Sequence, residues 1–308
     1  MFDGYTWGEL GAIAAMQGFA GLILFSVFVL MALGLAIIFG QMGVINMAHG
    51  EFMILGAYVT YLCSIAFETY MPALFGAYFF LAMILAFIAS GALGMAVEWG
   101  LIRHLYKRPL DTLLATWGLS LILQQTYRST FGAREVGVSV PDWMLGSIYL
   151  TDLIEIPING LFVMILALGI SIAVYVMLFR SGWGKQVRAV MQNRQMAGAV
   201  GINTEWTDRL TFGIGCGVAG VAGSAFTMIG STGPTAGQLY IVDTFLVVVF
   251  GGATSLLGTI ASAFTISQAQ SVLEFFLSGS MAKVFVLLTV IGILMLRPQG
   301  LFAFKVRK

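Results

Sequence analysis

The sequence predicts an all-α polytopic membrane protein of about eight to ten transmembrane helices, some of them interrupted. Three observations carry that prediction. Of the 308 residues, 59% are hydrophobic and only 9% are charged, and the mean hydropathy is positive, which excludes an ordinary soluble domain of this length. Apolar runs of about 20 residues, the length that crosses a hydrocarbon core ~30 Å thick, recur along nearly the whole chain. The stretch from Gly34 to Tyr61 is apolar except at its middle, where Asn46, His49, Gly50 and Glu51 interrupt it. A charge at the bilayer centre costs roughly 2.5–3.5 kcal/mol on insertion scales, so such residues face a protein interior or a wet cavity.

Taken in order, spans are predicted at residues 19–39, 45–67, 75–99, 113–127, 158–179, 210–230, 244–257, 259–277 and 282–296. Together they make one membrane domain over 1–308. Gly40, Gly43 and Gly50 loosen the backbone beside the polar break, and irregular backbone at membrane depth survives only where protein or water satisfies it. The run at 113–127 is short, and Gly251, Gly252 and Gly258 can divide the later spans into half-helices. The N-terminus carries Asp3 and Glu9 in place of a basic leader, and its apolar stretch outruns a signal-peptide core, so it reads as retained.

Charge sets the expected topology. Arg103, Lys107 and Arg108, then Arg180, Lys185, Arg188, Arg194 and Arg209, then Arg297, Lys305, Arg307 and Lys308 form basic clusters that the positive-inside rule assigns to the cytoplasm. The N-terminus and the loop at 128–157, with Asp142, Asp152 and Glu155, then lie outside, and Arg128 and Arg134 are tolerated exceptions. The net charge of +1 is dispersed over loops, which argues against a nucleic-acid partner. Cys63 and Cys216 lack metal or disulfide spacing and read as small buried hydrophobes.

A possible internal repeat pairs IIFG at 37–40 with VVFG at 248–251, each followed by glycine-interrupted apolar sequence, and Arg-Pro closes each block at 108–109 and 297–298. Repeated halves in transporters place the substrate site near their interface. Chance similarity between low-complexity apolar segments is the alternative.

The polar residues inside the spans are the candidates for a solute pathway. For Asn46, His49 and Glu51 three readings stay open: a hydrogen-bonded role at a helix break, pathway lining, and proton-coupled gating. Were this segment helical from 45, Asn46, Gly50 and Met53 or Ile54 would share a face, with His49 and Met53 one turn apart. Thr116, Trp117, Gln124 and Gln125 are the second candidate group, with interhelical hydrogen bonding as the alternative. Gly213, Gly215, Gly217, Gly220 and Gly223 point to close helix packing. Glu98, Glu274 and Lys283 read as interfacial, and Asp243 as an extracellular helix start. The two histidines and the carboxylates have no metal-site or catalytic spacing, so neither an enzyme nor a cofactor is expected.

The largest hydrophilic interruption runs from Ser181 to Leu210. Val187, Val190 and Met191 share a helical face surrounded by Lys185, Arg188, Gln192 and Arg194, which predicts a short amphipathic helix that docks a cytoplasmic partner or merely enforces topology. Gly184-Lys185 is followed by Gln186 and has no upstream glycine at the required spacing, so no phosphate-cradling loop is present.

Within that interruption NRQMAGAVGI, 193–202, resembles the Glu-Ala-Ala-x-x-x-Gly coupling loop of ABC-importer permeases. Ala197 and Gly201 are in register, while Gln195 and Met196 stand where the pattern has Glu and Ala. VINMAHGEFMILGAYV, 44–59, and RPQGLF, 297–302, resemble the permeases of branched-chain amino acid importers, and the resemblance spans essentially the whole chain. Within that family, PLDTLLATWGLSLILQQ, 109–125, and GAREVGVSVP, 132–141, are most similar to the urea-import permease.

The resemblance implies a multi-pass subunit of the bacterial inner membrane that pairs with a second homologous permease. Two cytoplasmic ATPases would bind the ATP, and a periplasmic binding protein would deliver the solute. The cytoplasmic coupling loop at 181–209 would present Gly184, Lys185, Arg188, Arg194, Gln195, Ala197 and Gly201 to the ATPases. Urea, with one acceptor and four N–H donors, suits an amide-lined path. A branched-chain amino acid is the alternative cargo, and an ATP-independent channel or gradient-driven carrier is the alternative class.

Overall fold

The computed structural model describes residues 6–106, 108–297 and 300–301. Asp3, Lys107, Pro298, Gln299, Phe302, Lys305, Arg307 and Lys308, named above, lie outside them.

Eight of the nine predicted spans correspond to one helix each, and the span at 244–257 straddles two. In chain order the helices are α1 (Trp7–Met42), α2 (His49–Tyr70), α3 (Tyr78–Gly100), α4 (Pro109–Phe131), α5 (Ile158–Arg180), then the short α6 (Gly182–Gln192) and α7 (Arg194–Ala199), then α8 (Thr204–Thr227), α9 (Ala236–Gly251), α10 (Leu256–Phe276) and α11 (Gly279–Leu296). A small hairpin, β1 (Ser147–Thr151) and β2 (Ile154–Pro157), precedes α5. Among the described residues, 7 helices are long and apolar enough to cross a membrane. The exceptions among the predicted spans are α4, which is too polar, and α9, at 16 residues too short. The protein is a polytopic helical membrane protein.

Several boundaries move for local reasons. α1 begins at Trp7, well before 19, because Thr6 and Glu9 form a reciprocal cap: Thr6 N–H donates to the Glu9 carboxylate at 2.7 Å and Glu9 N–H to Thr6 Oγ1 at 3.4 Å. The predicted span at 45–67 starts at His49, since residues 43–48 are not helical; Gly43, at φ 66°, closes α1 in the left-handed region. Asn46 therefore sits in the break and shares no helical face with Gly50 and Met53. The span predicted at 244–257 combined the end of α9 with the start of α10. Hydropathy did not mark their junction, where Gly252 adopts φ 91° and Ser255 Oγ accepts from Gly258 N–H at 3.0 Å. Asp243 is thus well inside α9 and not at a helix start. The loop expected over 128–157 yields its first four residues to α4, and the interruption at 181–209 yields its last six to α8.

α8 is the central helix and packs on α1, α2 and α3. Its glycines allow this. A Cβ on Gly223 would run into the carbonyl of Met53, and one on Gly56 into the carbonyl of Gly220, so α2 and α8 cross backbone against backbone. Thr60 donates to Ser224 at 2.8 Å and Ser90 to the Phe52 carbonyl at 3.0 Å across the same contacts. Cys216 is buried on α8 and Cys63 is half-buried on α2.

The two IIFG-like segments end α1 and α9, and a glycine with positive φ follows each. The two ends meet, since Gly40 lies against the Ala253 carbonyl. The chain returns there near its C-terminus, where Leu301 N–H donates to Phe250 O at 2.9 Å.

Candidate functional site

The break between α1 and α2 is built on side chains that replace missing backbone partners. Asn46 Oδ1 accepts from Ala48 N–H at 3.1 Å, and Thr116 Oγ1 on α4 accepts from Met47 N–H at 3.1 Å. Thr116 also donates within its own helix, to Thr112 O at 2.9 Å or Leu113 O at 3.0 Å. The break is thus pinned from outside by α4.

One turn on, Glu51 is 1% exposed. Its Oε1 accepts from Ser120 Oγ at 3.0 Å and Gln124 Nε2 at 2.9 Å, while Tyr127 OH donates to its backbone carbonyl at 2.9 Å. Thr116, Ser120, Gln124 and Tyr127 follow one another at helical spacing, so α4 turns a single polar face to α2. Glu51 Oε2 and Asn46 Nδ2 have no protein partner among the described residues. The expected pathway residues therefore divide. Asn46, Glu51, Thr116 and Gln124 come together. His49 turns the other way, with Nε2 at 3.2 Å from Met31 O and its ring beside Gly34. Trp117, 49% exposed, and Gln125, which donates to Ser129 Oγ at 3.5 Å, occupy the outward side of α4.

Charged pairs that no local pattern disclosed hold the ends of the bundle. Glu98 is buried, not interfacial, and takes Tyr106 OH at 2.7 Å and Arg209 Nε at 3.4 Å. Desolvation raises the Tyr106 phenol above its ordinary range. At the opposite end Lys283 donates to Asp243 Oδ2 at 2.9 Å and lies 5.6 Å from the Tyr240 ring centroid. A cavity of about 300 Å³ opens beside this pair, between α1, α9, α10 and α11.

The segment from 181 to 203 is a folded shelf. Ser181 Oγ caps α6 through Gly184 N–H at 2.9 Å, Asn193 Oδ1 caps α7 through Met196 N–H at 3.0 Å, and Asn203 Oδ1 caps α8 through Trp206 N–H at 3.0 Å. Val187 and Val190 are buried as the amphipathic reading expects, while Met191 is exposed. Arg194 is ion-paired with Asp208 and stands 5.3 Å from the Tyr106 ring centroid, and Arg188 donates to the Leu178 carbonyl. Gly184 and Ala197 are buried, Lys185 and Gln195 are exposed, and Gly201 turns the chain at φ 91°. Both arginines thus grip their own chain, and Met191, Met196, Val200 and Trp206 are large apolar side chains exposed beside Lys185 and Gln195.

The family model described as "Branched-chain amino acid transport system / permease component" matches residues 18–294. The chain belongs to this permease family. The permease is 28% identical to LivH of Escherichia coli strain K12, named a high-affinity branched-chain amino acid transport system permease protein, over 92% of this chain and 94% of that one. It is 25% identical to a probable branched-chain amino acid transport permease, LivH, of Methanocaldococcus jannaschii over 95% and 93%, and 26% identical to BraD of Pseudomonas aeruginosa over 91% and 93%. No solved structure matches the chain.

In this permease the polar face of α4 holds two residues that inspection of the span overlooked, Ser120 and Tyr127. The i, i+4 recurrence of 112, 116, 120 and 124 discloses Ser120, and Tyr127 extends the same face three residues on. Asp208, Asp243 and Glu98 had no such signal, because their partners lie on other helices.

Proposed function

We propose that this chain is one of two homologous permease subunits of an ATP-binding-cassette importer in the bacterial inner membrane. A periplasmic binding protein delivers the solute, two cytoplasmic ATPases supply the energy, and urea or a similar small amide is the cargo. The whole-length family match supports the permease role. The shelf at 181–203 supports the coupling: its capped helices make it a unit that moves with α5 and α8, and its exposed Met196 and Val200 offer a partner an apolar foothold. The two packings of the bundle would bind the ATPases differently in each nucleotide state, which is the condition for coupling.

The Ser120–Gln124–Glu51 row carries the urea reading. Ser120 and Gln124 lie on the segment that resembles urea permeases, and with Glu51 they put amide, hydroxyl and carboxylate groups at the α2–α4 seam, donors and acceptors suited to a small neutral amide. Trp117 and Gln125, on the other side of α4, are then available to the second permease. A branched-chain amino acid is the second reading, favoured by the names of the relatives and by Lys283 with Asp243, a cation and an anion within the spans that suit a zwitterion.

The deciding experiment co-expresses the chain with its partners, reconstitutes the complex in liposomes, and measures ATP-dependent uptake of radiolabelled urea and leucine, each with its loaded binding protein. Urea uptake supports the first reading and leucine uptake the second. Uptake by this chain alone without ATP overturns the importer.

A further inference from the structure

The cavity beside Lys283 gathers polar side chains where α10 ends and α11 begins. Lys283 is the fifth residue of α11 and Glu274 lies in the last turn of α10, two residues from its end. Gln270 Nε2 donates to Glu274 Oε1 at 2.9 Å, and Gln17 of α1 donates to Ser271 Oγ at 2.9 Å. With Tyr240 and Phe28 these side chains line a space of about 300 Å³. That is on the order of ten water-sized volumes, room for urea or an α-amino acid.

From this placement we infer that the cavity is a receiving site for the transported solute, and that it recognises a compact group presenting an acceptor oxygen next to N–H donors. The inference rests on the importer reading above. Lys283 has three N–H donors and uses one on Asp243, so it has donors left for a carbonyl or carboxylate oxygen of the solute. Glu274 and the amide oxygens of Gln17 and Gln270 are acceptors for its N–H groups. The side chain of Asp243 is 12% exposed and that of Lys283 is 38% exposed, so the lysine is the member of the pair that reaches the open space. Urea and an α-amino acid share the recognised chemistry. With the N-terminus outside, as the charge distribution predicts, α10 ends and α11 begins on the side from which a binding protein would deliver either.

The test uses the complete complex with its second permease, ATPases and binding protein in proteoliposomes, with radiolabelled urea in one arm and radiolabelled leucine in the other. K283M and E274Q should each lower ATP-dependent uptake at least tenfold in the arm that the wild type transports. Ala20 of α1 also lines the cavity, and A20L, which adds bulk there without removing a charge, should lower uptake as well. The swap D243K/K283D restores an ion pair between α9 and α11 but removes the donor from the cavity, and should not restore uptake. Assembly with the partners on size exclusion shows that each variant folds. Unchanged uptake in K283M and E274Q, or rescue by the swap, would overturn the site while leaving the importer intact. A wild-type complex that moves neither solute overturns the importer reading and the site with it.

Discussion

Gln124 on α4 donates its amide to the carboxylate of Glu51 on α2 at 2.9 Å, across 73 positions of sequence. With Ser120 and Tyr127 it makes the seam by which α4, the most polar of the predicted spans, is held to the rest of the bundle.

Removing the acceptor should release that seam. E51L removes the acceptor that Ser120 and Gln124 share, leaving them only each other, and, at roughly 1.5–3 kcal/mol for a hydrogen bond to a charged group, should lower the thermal stability of the detergent-solubilised protein clearly. E51Q keeps one oxygen in place and should cost about 1 kcal/mol or less. A melting curve for E51L that overlays the wild type would show that α4 is held by other means.

Buried Glu98 pairs with Arg209, whose side chain is 25% exposed. R209M leaves the carboxylate with Tyr106 OH alone and should cost about 1–3 kcal/mol, whereas E98Q/R209M should recover most of that loss. A double-mutant cycle from thermal or denaturant unfolding reads the coupling directly, and additive losses would refute it.

The α2–α8 crossing leaves no room for a side chain. G223L should abolish folding or cost at least about 3 kcal/mol, because Met53 presents a rigid carbonyl and not a movable side chain. G118A on α4 meets nothing within 4 Å and should be neutral or stabilise by about 0.5–1 kcal/mol. Equal expression and melting behaviour of the two variants would contradict the crossing.

Arg188 and Arg194 tie the shelf to α5 and α8. R188A/R194A should reduce solute-stimulated ATP turnover of the reconstituted complex several-fold while membrane insertion stays intact. Stimulation equal to wild type would separate these arginines from coupling.

Span positions were legible because an apolar run long enough to cross lipid has few alternatives. The breaks were less so: Gly252 and Ser255 sit among residues as apolar as the helices beside them, and only backbone geometry separates α9 from α10. For the candidate site, Glu51 and Gln124 were legible as polar intruders, since lipid forbids them singly. Their pairing was not, nor was His49 turning toward α1, because which way a helix faces depends on its neighbours. Arg194 looked like a surface charge offered to a partner. Its partner is Asp208, and composition does not distinguish a cation that reaches outward from one that folds back.

The length of α1 has a geometric consequence. Its 36 residues make a rod of about 54 Å, while transmembrane helices tilt by at most about 40° through a hydrocarbon layer of about 30 Å. Even at that limit the rod rises about 41 Å along the membrane normal, so at least about 11 Å of it stands clear of the acyl chains. Near its middle the same bundle holds α9, only 16 residues and about 24 Å long, packed against α1, α2 and α10. α1 therefore has length to spare over the hydrocarbon layer, whereas α9 by itself is shorter than that layer.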